Sequence, residues 1–208
     1  RARRLYFDVI PRAIDDYLAS VERMPGEEPA KAADNPAWHI HDGKPPAAPG
    51  GRAHLTFGIL LNVAAVANAE DKTVLWGFIT RYAPQASPKN DPLLDHLVGH
   101  AIAYYRDFVK PTRKYRAPTE IERKALEELA AALKTLPKEA DAEAIQNEVY
   151  AIGKKHPFKE LRAWFQALYE VLLGQSQGPR FGSFVALYGR EEARALIERA
   201  LKGELSKA

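Results

Sequence analysis

The feature that most constrains this chain is apolar spacing at three and four residues, which recurs along most of its length. The longest such stretch begins after Asn90 and Asp91, either of which can cap a helix that has Pro92 in its first turn, and it ends at Pro111. Its apolar positions are Leu94, Leu97, Val98, Ala101, Ile102, Tyr105, Phe108 and Val109. A helix places such positions on one face, and no strand pattern competes with this spacing. The sequence therefore predicts an all-α fold.

Helical stripes with clear start and stop signals continue through the second half of the chain. Thr119 and Glu122 have the spacing of a capping box, and the leucine stripe that follows ends at Pro137. Asp141 can cap the next stripe, which runs to Gly153. Further stripes occupy residues 161–174, 181–189 and 193–201. These short helices with glycine stops predict a compact C-terminal bundle.

The first half contains two helical stripes and one long segment without a periodic pattern. The stripes at 57–65 and 74–82 predict two buried, antiparallel helices joined near Asp71. Between Met24 and Gly51, six prolines and three glycines predict an irregular connection with order only near 37–41. The charged, proline-flanked segment 110–118 is the best internal boundary. We therefore divide the chain into a linking region, 1–110, with a proline-rich loop at 24–51, and a C-terminal domain, 111–208.

Composition excludes several classes of protein. The chain has no cysteine, which rules out disulfides, thiolate metal sites and thiol chemistry and is compatible with a reducing compartment. No apolar run approaches the roughly 20 residues of a membrane span. The net charge is only +3, so an anionic partner has to be argued from local clusters. The chain also begins at Arg1, without an initiator methionine, and we expect it to be a piece of a longer protein.

Three clusters have the composition of RNA-binding surfaces. Residues 106–116 hold five basic residues against one acid, interleaved with aromatic residues. A second basic group surrounds the turn at 153–157. The third, residues 174–184, combines two glutamines, two serines, an arginine and phenylalanines between glycines, which are groups that read unpaired bases. Each cluster also has a structural interpretation, as cations at a helix end, a solvated turn, or a glycine cap followed by core residues.

The chain offers no self-contained catalytic or metal site. His96 and His100 lie one helical turn apart, but the glutamate of the metalloprotease pattern and a third ligand are missing. Adjacent carboxylates such as Asp15 and Asp16 point in different directions from a helix and face solvent in this interpretation. No nucleophile elbow, phosphate-binding loop or dinucleotide fingerprint is present. We expect no metal and no catalytic residue in this chain.

Several stretches closely resemble one enzyme family. They are IQNEVYAIG at 145–153, WF at 164–165, ALYEVLLGQ at 167–175, GPRFGSF at 178–184 and ALYG at 186–189. The opening RLYFDVIP at 4–11 and HLTF at 54–57 fit the same family. Together they resemble the C-terminal part of class I lysyl-tRNA synthetases of the archaeal type, in the region that follows the catalytic core.

The resemblance implies a helical bundle followed by an α-helix cage that binds the anticodon of tRNA(Lys). In the full enzyme, ATP with magnesium and lysine would be handled by an N-terminal catalytic domain, whose two ATP signatures have no match here. The expected partners are tRNA(Lys) and that domain, with no DNA and no membrane, in the cytoplasm. The chain alone is expected not to activate lysine.

Within this resemblance the residue types suggest site residues, and their roles are a hypothesis that the family match itself does not supply. Bases of the anticodon are expected to contact Gln175, Gln177, Arg180 and Phe181, with phosphates held by Lys154, Lys155 and Arg162. The tRNA stem is expected to contact Arg52, His54, Asn62, Arg113, Lys114 and Arg116. The alternative is a helical protein-interaction scaffold without an RNA role, which the modest net charge and aromatic-rich helices would also fit.

Overall fold

The structure, a computed structural model, describes residues 7–44 and 55–206, with the side chains of Pro29 and Ala30 left aside. All regular structure in these ranges is helical, which confirms the all-α prediction. The α-helices are α1 (Ile10–Arg23), α2 (Pro29–Ala32), α3 (Pro36–Ile40), α4 (Phe57–Val66), α5 (Lys72–Tyr82), α6 (Pro92–Tyr104), α7 (Glu120–Thr135), α8 (Ala142–Lys155), α9 (Leu161–Leu168), α10 (Phe181–Tyr188) and α11 (Arg190–Leu201).

Helix α4 lies at the centre of the molecule. Eight of its ten residues are buried, including Phe57, Leu60 and Val63, because its side chains are apolar around the whole circumference. The helix packs against α1, α5, α6 and α10. Its N-terminus is capped by the Thr56 hydroxyl, which accepts the amide of Ile59 at 3.1 Å. The predicted pair of helices at 57–65 and 74–82 is confirmed, with Asp71 as the N-cap of α5.

The C-terminal bundle is built by α7, α8, α10 and α11. The capping box at the start of α7 is confirmed, because Thr119 and Glu122 each accept the other's backbone amide. Helices α8 and α10 approach closely at Gly182, whose amide donates to the Gln146 side chain at 2.8 Å. The backbone of α8 leaves no room for a Cβ at position 182, so this contact requires glycine.

The hydrophobic core runs across the predicted boundary at 110/111. One cluster of buried side chains extends from Phe57 to Leu205, and α10 packs against both α4 and α5. The division into 1–110 and 111–208 remains a prediction, but the two parts share this core.

Three details differ from the sequence prediction. Residues 24–44 are not irregular: a short 3₁₀ turn and helices α2 and α3 follow α1, held by an apolar cluster of Val21, Met24 and Ala37. Asp91 precedes α6 but does not cap it, because its carboxylate accepts the amide of Ser87 at 3.2 Å instead. Helix α1 was not located from the sequence at all.

Two helices end in π-helical turns, which the periodicity did not predict. Helix α6 continues through Tyr105–Val109 in this form, and α9 continues through Tyr169–Leu173. A π turn inserts one extra residue into the helical register and is often found at functional sites. The second of these turns leads directly into the loop that begins at Gly174.

Residues 7–44 and 55–206 contain neither a membrane-spanning helix nor a cluster of metal ligands. No helix there is long and apolar enough to cross a membrane. Across the same residues no group of three or more histidines and acids is placed to hold a metal ion. His96 and His100 do lie on one side of α6, with ring centroids 6.5 Å apart.

Candidate functional site

The segment 174–180 is a loop fixed at both ends. Gly174 has a φ of +68°, a left-handed conformation that favours glycine, and its carbonyl accepts the Lys114 amide at 2.9 Å. Near the other end, the Tyr169 hydroxyl donates to the Pro179 carbonyl at 2.9 Å, and the Tyr169 ring packs against Gly178. The polar side chains of the loop are therefore presented from an ordered backbone.

This loop forms one wall of a cleft that several polar side chains line. The cleft has a volume of about 630 Å³, and its other walls are the start of α1 and the start of α4. Four predicted site residues line it: Asn62, Gln175, Gln177 and Arg180. The structure thus brings a predicted stem contact and three predicted anticodon contacts into a single cleft.

The amide groups in the cleft are partly committed to each other. The Gln175 side-chain nitrogen donates to the Asn62 oxygen at 3.2 Å, and the Asn62 nitrogen donates to the Gly58 carbonyl at 2.7 Å. Asn62 is buried, so it positions Gln175. Gln177 and Arg180 are exposed, and no hydrogen bond joins their side chains to another described residue.

Asp15 is a cleft residue that the sequence analysis assigned to solvent. It is half-buried, and its carboxylate accepts the amides of Phe57 at 2.6 Å and Gly58 at 3.1 Å. Burial raises the pKa of Asp15, although these two hydrogen bonds oppose the shift. Asp15 therefore joins α1 to the start of α4. Its position beside Leu18 on the inward side of α1 was the available signal, but α1 itself was not recognised.

The burial of Phe181 argues against the predicted contact between this residue and an anticodon base. Its side chain is 1% exposed and packs against Phe184 with ring centroids 5.7 Å apart. As the first residue of α10 it points into the core, so the structure assigns it to packing rather than to a surface on which a base can stack.

The predicted stem residues on the 110–118 segment have different environments. Arg113 donates to the carbonyls of Leu173 at 3.0 Å and Ala65 at 2.6 Å, and it also bonds the Tyr115 hydroxyl. Arg116 binds Glu122 through both terminal nitrogens and Glu170 through Nε. Both guanidinium groups are thus engaged by other residues of the chain, and this geometry favours a bracing role.

Lys114 is exposed and makes no ion pair with a described residue. It lines a second cavity of about 520 Å³ that shares Gln175 with the cleft. Of the three predicted basic stem residues on this segment, Lys114 is the one whose charge faces solvent. Arg52 and His54 lie outside the described residues.

The basic residues near the end of α8 do not line the cleft. Lys155 pairs with Glu128 at 2.7 Å, and His156 contacts the same carboxylate at 3.0 Å. Lys154 and Arg162 are exposed, and neither forms an ion pair with a described residue. They are accompanied by an aromatic pair that the sequence analysis did not select, Tyr150 and Phe165, whose ring centroids are 5.0 Å apart.

The helical architecture and this polar cleft agree with a family match. A family model described as an anticodon binding domain matches residues 93–201, slightly more than half of the chain. The chain belongs to this anticodon-binding-domain family.

Its relatives carry a more particular name. A lysine–tRNA ligase of Roseobacter denitrificans is 52% identical over 204 residues, which are 98% of this chain and 38% of that protein. Lysine–tRNA ligases of Rickettsia bellii and Rickettsia felis are 46% and 45% identical over 202 residues. The chain spans 38% of the length of these relatives.

Proposed function

We propose that this chain binds tRNA(Lys) and reads its anticodon as the RNA-binding part of a lysine–tRNA ligase. The observation that carries the proposal is the match to the anticodon-binding-domain family together with relatives named lysine–tRNA ligase along nearly the whole chain. The whole protein would convert ATP, L-lysine and tRNA(Lys) to lysyl-tRNA(Lys), AMP and diphosphate.

In this proposal the chemistry belongs to an N-terminal catalytic domain of the class I, archaeal type, acting in the cytoplasm. ATP with magnesium would bind there. No residue of this chain matches the ATP signatures of that domain, so we assign none of its side chains to ATP or to the transfer step. The role of this chain is to select the correct RNA.

The chemistry of the cleft suits unpaired bases of the kind found in a uridine-rich anticodon. A uracil edge presents carbonyl oxygens on either side of an imino N–H, so it needs both donors and an acceptor. Arg180 and Gln177 supply exposed donors, and the amide oxygens of Gln175 and Gln177 supply acceptors. Phosphate contacts come from exposed cations. These are Lys114 near the cleft and, farther along the chain, Lys154 and Arg162.

The test is binding of the chain to tRNA(Lys) and to the same tRNA with its central anticodon base changed, at three salt concentrations. We expect the native tRNA to bind about 10- to 100-fold more tightly, with an affinity that falls steeply as salt rises. Equal, weak and salt-insensitive binding of the two RNAs would contradict the proposal and favour the protein-interaction scaffold.

A further inference from the structure

Tyr150 and Phe165 form an aromatic pair at the surface between α8 and α9. Their rings meet edge to face, with centroids 5.0 Å apart and an interplanar angle of 65°. Tyr150 is 39% exposed and Phe165 is half-buried against the core. The Tyr150 hydroxyl has no hydrogen bond to a described residue, so neither burial nor a polar contact explains a tyrosine at this position.

Two cations flank this pair on the same helix faces. Lys154 follows Tyr150 by one helical turn on α8, and Arg162 precedes Phe165 by one turn on α9. Both are exposed and neither pairs with a described acid, whereas the adjacent Lys155 is paired with Glu128. The surface therefore combines an accessible aromatic ring with available positive charge.

Tyr169 connects the aromatic pair to the cleft. It lies one turn after Phe165, at the start of the π turn, and its hydroxyl holds the Pro179 carbonyl. Burial raises the pKa of Tyr169, and the electrostatic effect of the Tyr150 phenol adds to this shift.

We propose that Tyr150 and Phe165 form a stacking platform for one unpaired nucleotide of the bound tRNA, with Lys154 and Arg162 holding its phosphates. The inference rests on the proposed function and adds a second contact to it. An exposed aromatic ring stacks on any base, since every base has a π face, so this platform contributes affinity without selecting the sequence. The flanking cations favour RNA over a protein partner, because two exposed like charges beside an apolar ring match a phosphate-linked base.

The test compares three variants of Tyr150 in the whole chain. Tyr150→Leu keeps an apolar side chain against Phe165 but removes the π face, and we expect about ten-fold weaker binding to tRNA(Lys). Tyr150→Phe keeps the ring and should bind within about two-fold of the native chain. Tyr82→Leu is the matched control, since Tyr82 is 42% exposed on α5, away from these residues in the chain, and its loss should leave binding unchanged.

A purely structural role would give a different pattern. Each variant is also measured for its urea midpoint and for its ratio of affinities for native and altered-anticodon tRNA, and we expect Tyr150→Leu to leave both unchanged. In the same assay, Lys154→Gln should lower the slope of log affinity against log salt by about one, whereas Tyr150→Leu should not.

Native-like binding by Tyr150→Leu, while the native chain still discriminates between the two tRNAs, would overturn the platform and leave the proposed function standing. Tyr150→Phe binding as weakly as Tyr150→Leu would also overturn it, because the hydroxyl rather than the ring would then matter. If the native chain itself does not discriminate between the two tRNAs, the proposed function is overturned.

Discussion

At the scale of single residues, Arg113 shows that a basic residue in an RNA-like cluster can be a structural brace. Its guanidinium bonds the carbonyls of Leu173 and Ala65, both in the core. We expect Arg113→Met to lower the free energy of unfolding by about 1–3 kcal/mol, because two buried acceptors lose a charged donor. Lys114→Met is the matched control, and its exposed side chain should change stability by less than about 0.5 kcal/mol.

Urea unfolding of the two variants measures this difference. An Arg113→Met protein that unfolds like the native chain, yet binds every tRNA more weakly, would contradict the bracing role. It would restore the stem contact predicted from the sequence.

Glu122 belongs to a charged network whose effect depends on pH. Burial tends to raise the pKa of Glu122, but hydrogen bonds from Arg116 and Thr119 outweigh it, so the pKa lies below the usual 4.5. Arg116 also lowers the pKa of Glu170. Because the folded-state pKa of Glu122 is depressed, its contribution to stability is complete above pH 4.5 and is lost as the pH falls through the folded-state value.

Substituting Glu122→Gln tests this linkage. The variant should be less stable than the native chain at pH 7, and the difference should shrink as the pH is lowered from 5 to 3. Urea titrations at each pH give the comparison. A difference that stays constant over that range would exclude Glu122 as the titrating group.

At the scale of elements, the contact between α8 and α10 depends on Gly182. A Cβ at this position would overlap the Ala142 carbonyl and would lie 2.8 Å from the Gln146 amide nitrogen, and neither backbone atom can move away freely. We expect Gly182→Ala to destabilise the fold by about 2–3 kcal/mol. Gly77→Ala on α5 meets nothing within 4 Å and should stabilise by about 0.5–1 kcal/mol.

Thermal or urea unfolding of the two variants tests this prediction, because both substitutions replace a helical glycine by alanine. Equal effects from the two substitutions would mean that α8 and α10 do not pack as closely as described.

Helix ends and apolar faces could be predicted from the sequence, because local signals set them. The Thr119 box and the Gly174 cap depend on residues within one turn. Spacing also placed Phe181 on an apolar stripe, but it could not say that the residue is 1% exposed while Tyr150 is 39% exposed. That difference depends on which neighbouring helix covers each face.

The site was predictable only in part, because contacts between helices that are distant in the sequence leave no local signal. Composition identified the two glutamines and the arginine of 174–180, and the structure places all three in one cleft. Their opposite wall comes from α1, more than 150 residues earlier, and contains Asp15, which no local pattern connects to them. The π turns were also missed, because a one-residue insertion changes the register without interrupting the apolar stripe.

At the scale of the whole molecule, the shared core makes the two parts of the chain dependent on each other. Helix α10 packs on α4 and α5, and Arg113 bonds the end of α4. We therefore expect an isolated 111–208 fragment to unfold at a much lower urea concentration than the whole chain, since removing α4 exposes buried apolar surface. A fragment with the same unfolding midpoint and intact helical content would instead support two independent domains.

If the cleft reads the anticodon, Arg180 and the central anticodon base are energetically coupled, and a double-mutant cycle between them tests this most directly. The affinities of the native chain and of Arg180→Ala are measured with tRNA(Lys) and with the central-base variant, and Lys154→Ala is the control. We expect Arg180→Ala to weaken binding of the native tRNA by about 1–3 kcal/mol and to affect the altered tRNA much less. Lys154→Ala should weaken both RNAs equally. Equal losses for the two tRNAs with Arg180→Ala, or no loss at all, would contradict the claim.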